Sequence, residues 1–166
     1  MEYNVNKKEI IINRKLNDLD KFALEFTQIV VKYTDYVIIS GYISILLGRA
    51  RATEDIDMFI KKITKGKFIE LYEGLKKNGF WCLNAENANE IYEYLEDNLA
   101  VRFARTNRAI PNFEIKYPER IIDSETFSDY LMVILPEGKL KISSLERQIA
   151  FKRYYLKSNK DIEDAI

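Results

Sequence analysis

The chain has 166 residues, enough for one domain that buries about two thirds of its unfolded surface, and lysine plus arginine balance aspartate plus glutamate at 26 each. That balance excludes a strongly basic nucleic-acid binder, the single cysteine, Cys82, excludes an internal disulfide or a cysteine-built zinc site, and the absence of histidine excludes Ser-His-Asp and Cys-His nucleophile schemes. Chemistry must then rest on carboxylates, lysine, arginine, tyrosine or a metal; with no signal peptide or spanning apolar run, a cytoplasmic location off the membrane is expected.

Residues 1–12 alternate loosely, and Ile10 to Ile12 read as an edge strand or a packed arm without a firm assignment. From Leu16 to Tyr33, Leu16, Leu19, Phe22, Ala23, Phe26, Ile29, Val30 and Tyr33 recur at three and four, the period of an amphipathic helix, with Asn13 or Asn17 to cap it. Tyr36 to Ile39 is a short β-branched and aromatic run stopped by Ser40 and Gly41, which predicts a buried strand. Tyr42 to Leu47 then forms a short apolar helix that begins at Gly41 and ends at Gly48, where positive φ is wanted. A helix N-terminus at Gly41 exposes backbone N–H groups to an anion, and glycine allows close approach.

Arg49, Arg51 and Thr53 read as a polar loop, and Glu54 to Ile60 as an alternating strand. Asp55 and Asp57, two apart, leave one face with Cα atoms roughly 6 to 7 Å apart. Two carboxylates on one face repel unless something positive lies between them, and hard divalent cations prefer such oxygen ligands.

Further along, Gly66 to Asn78 is predicted as a helix, Phe80 to Leu83 as a strand, and Glu86 to Asp97 as a second helix with an acidic, solvated stripe. Cys82 reads as a small buried hydrophobe. Ala100 to Arg105 and Asn112 to Tyr117 are strands expected to pair antiparallel, with Phe113 and Ile115 facing one way and Glu114 and Lys116 the other. Ile121 to Tyr130 is irregular. Leu131–Leu135 and Lys139–Ile142 flank Pro136-Glu137-Gly138 as a hairpin, Ser143 and Glu146 spell a capping box for a helix to about Leu156, and Ser158 to Asp161 opens a last helix. Lysines and arginines crowd residues 139–160, a concentration that can meet a triphosphate or an RNA backbone. One α/β (α+β) domain over 1–166 is the economical reading.

Gly41, the intervening helix, Arg51-x-Thr53 and Asp55-Ile56-Asp57, in this order and spacing, resemble the signature of the polymerase-beta-type nucleotidyltransferase superfamily. The likeness is to its small prokaryotic members, minimal or toxin-type abortive-infection nucleotidyltransferases. Ser40 departs from the pattern by standing where those families place a first glycine. The resemblance implies a mixed β-sheet flanked by helices with further C-terminal helices, and a catalytic, metal-holding set of Asp55, Asp57 and Glu114, the glutamate standing where the family usually has aspartate. It further implies two Mg²⁺ ions, or Mn²⁺, with one gripping the triphosphate and the other activating an acceptor hydroxyl. Ser40, Gly41, Arg51 and Thr53 would bind phosphate. The ending Lys160-Asp161-Ile162-Glu163-Asp164 resembles a Lys-Asp-x-x-Asp segment of toxin-type relatives, which adds Lys152 and Lys160 as phosphate contacts.

The function so implied is transfer of a nucleoside monophosphate from an NTP to a protein or RNA hydroxyl, within a toxin–antitoxin or phage-defence system and with a cognate partner protein. Two alternatives stay open: an inactive nucleotidyltransferase-fold binding module or antitoxin, and a structural protein whose Asp55 and Asp57 pair with Arg49 and Arg51. Oligomeric state stays open as well.

Overall fold

The computed structural model describes residues 2–4, 7–48, 53–144 and 147. Among these residues, nine strands form one mixed sheet in the order β1-β2-β8-β9-β3-β4-β7-β6-β5. In chain order they are β1 Glu2–Asn4, β2 Glu9–Ile11, β3 Tyr36–Ile39, β4 Asp55–Ile60, β5 Phe80–Cys82, β6 Val101–Arg105, β7 Asn112–Lys116, β8 Tyr130–Leu135 and β9 Gly138–Ser143. The helices are α1 Asp18–Val30, α2 Gly41–Leu46, α3 Lys65–Lys77, α4 Ala88–Glu96 and the short α5 Ile121–Ser124, which runs into a 3₁₀ turn at Glu125–Phe127. A mixed α+β sheet flanked by helices is thus the observed architecture; the expected C-terminal helices lie outside the described residues.

Most strand neighbours run antiparallel, but β2 with β8, β3 with β9, and β4 with β7 run parallel. Residues 1–12, unassigned by periodicity, supply β1 and β2, and β2 earns its place through Ile10, which is buried in the core. The polar stretch from Ile121 resolves into α5 and its 3₁₀ turn, a segment too short for an apolar period to be visible.

Alternation decides the two faces of the sheet. Ile38, Ile56, Met58, Ile60, Phe113 and Ile115 enter the main core beneath α1 and α3, where Phe26 stacks on Phe113 at 4.5 Å between ring centroids. Residues of opposite parity in the same strands must then face away. There Val37, Ile39 and Phe59 form a smaller apolar cluster closed by Phe127 and Tyr130.

Asn17, one of the two proposed caps, opens α1 through a capping box with Asp20. Asp20 is fully buried, and its carboxylate also accepts from Arg14 (2.5 Å) and from the hydroxyl of Tyr42 in α2 (2.8 Å). Burial alone would raise this carboxyl, but hydrogen bonds from Arg14, the Asn17 N–H and Tyr42, with the Arg14 charge, hold it below the usual carboxylate range. One buried carboxylate therefore ties the start of α1 to α2. Glu146, the second member of the capping box expected after β9, lies outside the described residues. Ser143 ends β9 with its hydroxyl buried and unpartnered, while Ser144 accepts from the Arg147 N–H.

Replacing Asp20 by Ala is expected to cost about 3 kcal/mol at pH 7, because it strands the Tyr42 hydroxyl and the Asn17 N–H together. Since the folded-state pKa is depressed, this contribution is present above the unfolded value and is lost as pH falls through the folded one. Urea melts of both proteins should accordingly converge in strong acid; a pH-independent gap would contradict the assignment.

Candidate functional site

The site lies where β3 ends and β4 and β7 begin. Parallel pairing sets Asp55 beside Asn112, Ile56 beside Phe113 and Asp57 beside Glu114. Because Ile56 and Phe113 are both fully buried, Asp57 and Glu114 are driven together on the opposite face. The antiparallel neighbour β6 adds Arg102 opposite Glu114, its guanidinium 3.8 Å from the carboxylate. Two of the three proposed acids are thus direct cross-strand neighbours, and the third stands two residues from Asp57 on the same face.

Electrostatics at this corner are frustrated. Burial, the adjacent Glu114 charge, a hydrogen bond shared with Glu114 and the nearby Asp55 together push the Asp57 carboxyl up to about 6, against a lowering hydrogen bond from Ser40. Among the described residues no three histidine, cysteine, aspartate or glutamate side chains stand gathered as a cage for a metal ion. The donor set is nevertheless all carboxylate oxygen, and its strongest internal conflict is the one that a hard cation relieves.

Ser40 lies between strand and helix. Its φ of 69° and ψ of −148° fall in a region otherwise almost confined to glycine, so the conformation expected of a first glycine is kept although the residue is serine. The strained serine supplies what glycine lacks, a hydroxyl that reaches Asp57. Gly41 takes the first helical position of α2, and Gly48, at φ 105°, follows its end as expected. Thr53 donates from its hydroxyl to the carbonyl of Asp55 at 3.0 Å, which fixes the entry of β4. Arg49, Arg51, Lys152 and Lys160 lie outside the described residues.

Asn112 is the residue that the sequence reading missed. It is 3% exposed, donates from Nδ2 to Asp55 Oδ1 at 2.8 Å and to the Ala109 carbonyl at 3.2 Å, and leaves its own Oδ1 buried without a partner. Its two donated bonds therefore hold the amide in place, and the one to Asp55 orients that carboxylate. A signal was available: by strand alternation Asn112 shares a face with Glu114 and Lys116.

No family model matches the chain, and no curated protein matches it. Solved structures do. An antigenic nucleotidyltransferase-like protein from Paracoccidioides brasiliensis superposes with a TM-score of 0.53 at 18% identity, covering 87% of this chain and 72% of that one. JHP933 from Helicobacter pylori gives 0.47 at 18% identity, covering 91% of this chain and 66% of that one. The first likeness shows the fold, which is nucleotidyltransferase-like; the second adds no argument.

A folded-state carboxyl raised to about 6 means that Asp57 favours folding below its unfolded pKa and that this stability is lost as pH rises through about 6. Asp57→Asn should therefore leave the metal-free protein more stable than the parent at pH 8, by on the order of 2 kcal/mol, with the gap closing near pH 4. Thermal melts across that range decide the matter, and a less stable variant at pH 8 would contradict the repulsive pair. Ser40→Ala should move the apparent Asp57 pKa further upward, readable by carboxyl NMR titration.

Proposed function

We propose that the chain is a metal-dependent nucleotidyltransferase that moves a nucleoside monophosphate from an NTP to a hydroxyl of a protein or an RNA. The observation that carries this reading is the forced adjacency of Asp57 and Glu114, with Asp55 on the same face, beside a strand-to-helix turn held in a glycine-type conformation. Asp55, Asp57 and Glu114 are the residues that would hold Mg²⁺ or Mn²⁺. When bound, two such ions would supply positive charge to the triphosphate and lower the pKa of an attacking hydroxyl.

The chain's own groups do the rest. Asn112 aims Asp55, the Ser40 hydroxyl favours the ionised form of Asp57, and Arg102 holds Glu114 while offering charge at the rim. Backbone N–H groups at Ser40 and Gly41 would face phosphate oxygens, with Arg51, Thr53, Lys152 and Lys160 as further phosphate contacts. Glu114 would accept the proton of the acceptor hydroxyl. Placement among small prokaryotic enzymes of toxin–antitoxin or phage-defence systems, with a cognate partner protein and a cytoplasmic setting, belongs to this same proposal. No helix among the described residues is long and apolar enough to cross a membrane.

The Arg102–Glu114 ion pair favours one competing reading, in which the guanidinium takes the place of a cation and the domain binds a nucleotide without turnover. Incubation with each labelled NTP and Mg²⁺, with and without RNA or protein acceptors, separates the two. The enzyme reading expects labelled product from the parent and a loss on the order of a thousandfold or more in Asp55→Ala/Asp57→Ala. Equal labelling by both proteins would refute it, whereas metal-dependent NTP binding in calorimetry without any product would establish the binding module.

A further inference from the structure

The face that carries the carboxylates continues past Phe59. By parity, Lys61 follows Asp55, Asp57 and Phe59; Pro118 follows Asn112, Glu114 and Lys116; and Asp35 precedes Val37 and Ile39. These three positions, at the opposite end of β3, β4 and β7, line a cavity of about 450 Å³ together with Lys62 and with Ser124, Phe127 and Ser128 from α5 and its 3₁₀ turn. The volume falls within the range of small-molecule sites.

Its charge is unbalanced for a specific reason. Asp35, the one acid in the lining, already accepts from Lys141 Nζ at 2.6 Å and from the Tyr36 N–H at 2.9 Å. The acids of the roof are engaged in the same way: Asp123 with Arg120, and Glu125 and Asp129 with Arg147. Lys61 forms no ion pair among the described residues, and Lys62 has only the Tyr117 ring, 5.8 Å from its nitrogen. Two exposed lysines therefore line the cavity without an ion pair among the described residues. Ser124 and Ser128 bring hydroxyls whose present bonds, 3.3 and 3.1 Å to carbonyls of their own turn, are readily exchanged. Pro118 and Phe127 give apolar walls.

We propose that this cavity binds a small organic phosphate that carries a flat apolar group. Two lysines act as point charges that match a phosphate dianion, the serine hydroxyls reach its oxygens, and the flat group lies along Phe127 and Pro118. The cavity is separate from the carboxylate corner. Phe59, 2% exposed, and Val37, fully buried, lie between the two under Phe127. Four residues of strand from Asp57 to Lys61 place the ends roughly 13 Å apart. The inference does not rest on nucleotidyl transfer.

The test is an NMR titration of the whole ¹⁵N-labelled chain, with divalent metal chelated, using inorganic phosphate and adenosine 5′-monophosphate as probes. Saturable shifts are expected at the amides of Lys61, Lys62, Ser124 and Ser128, with the nucleotide binding about tenfold more tightly than phosphate alone. Lys61→Gln/Lys62→Gln, at two exposed positions, should weaken both probes by about tenfold or more while leaving the rest of the spectrum in place. Absence of saturable shifts there at millimolar probe, shifts confined to Ser40 and Gly41, equal affinity for the two probes, or unchanged affinity in the double variant would each overturn the proposal.

Discussion

Everything at the candidate site depends on the register between β4 and β7. Five consecutive pairs, from Asp55 with Asn112 to Phe59 with Lys116, run parallel. A one-residue slip of β7 would send Phe113 and Ile115 to the open face and drive Glu114 into the aromatic core, and a slip of β4 would do the same with Ile56, Met58 and the two aspartates. Phe113 cannot leave, since it is stacked on Phe26 and packed against Phe22, so the cost of burying apolar surface elsewhere holds the acids together against their own repulsion. The hydrophobic effect provides the force, and the site is assembled by it.

What that force leaves behind is a local electrostatic debt at Asp57. A proton, a serine hydroxyl and a nearby guanidinium each reduce it in part. A structural role alone gives no reason for this arrangement, because a half-buried like-charge pair lowers stability. Groups held against their electrostatic preference on a fully ordered strand are the usual mark of a site that waits for a charged ligand.

The elements with strong local signals were legible in the sequence. The period of α1, the buried runs of β3 and β4, the hairpin around Pro136 and the glycine stop at Gly48 all come from patterns within a few residues. The Asp55–Asp57 spacing is equally local, whereas Glu114 entered only through the resemblance, because its meeting with Asp57 spans more than fifty residues and two intervening strands. Asn112 and Asp20 escaped notice for a related reason: their importance lies in what they touch. Asp20 did leave a trace, since it shares the buried side of α1 with Ala23, Leu24 and Thr27, where an unpaired carboxylate would not be tolerated. Ser40 was read as a departure from a glycine pattern; the backbone keeps the glycine conformation, and the side chain explains why a serine is worth its strain.

The open face of the sheet also divides its charges. Asp55, Asp57 and Glu114 occupy one end and Lys61 and Lys62 the other, with the Val37, Ile39 and Phe59 cluster and its cover of Phe127 and Tyr130 between them. At roughly 13 Å the two ends stand farther apart than a Debye length of about 8 Å at physiological ionic strength. Lys61 is therefore a poor counter-charge for the carboxylates, although it leaves the same face of the same strand as the two aspartates. Lys116 stands on this face opposite Phe59, yet its ammonium lies over the Phe59 ring, 5.8 Å from the centroid, and forms no ion pair with a carboxylate among the described residues. The separation makes sense if each end is kept charged for a ligand of opposite sign, a cation at one and an anion at the other.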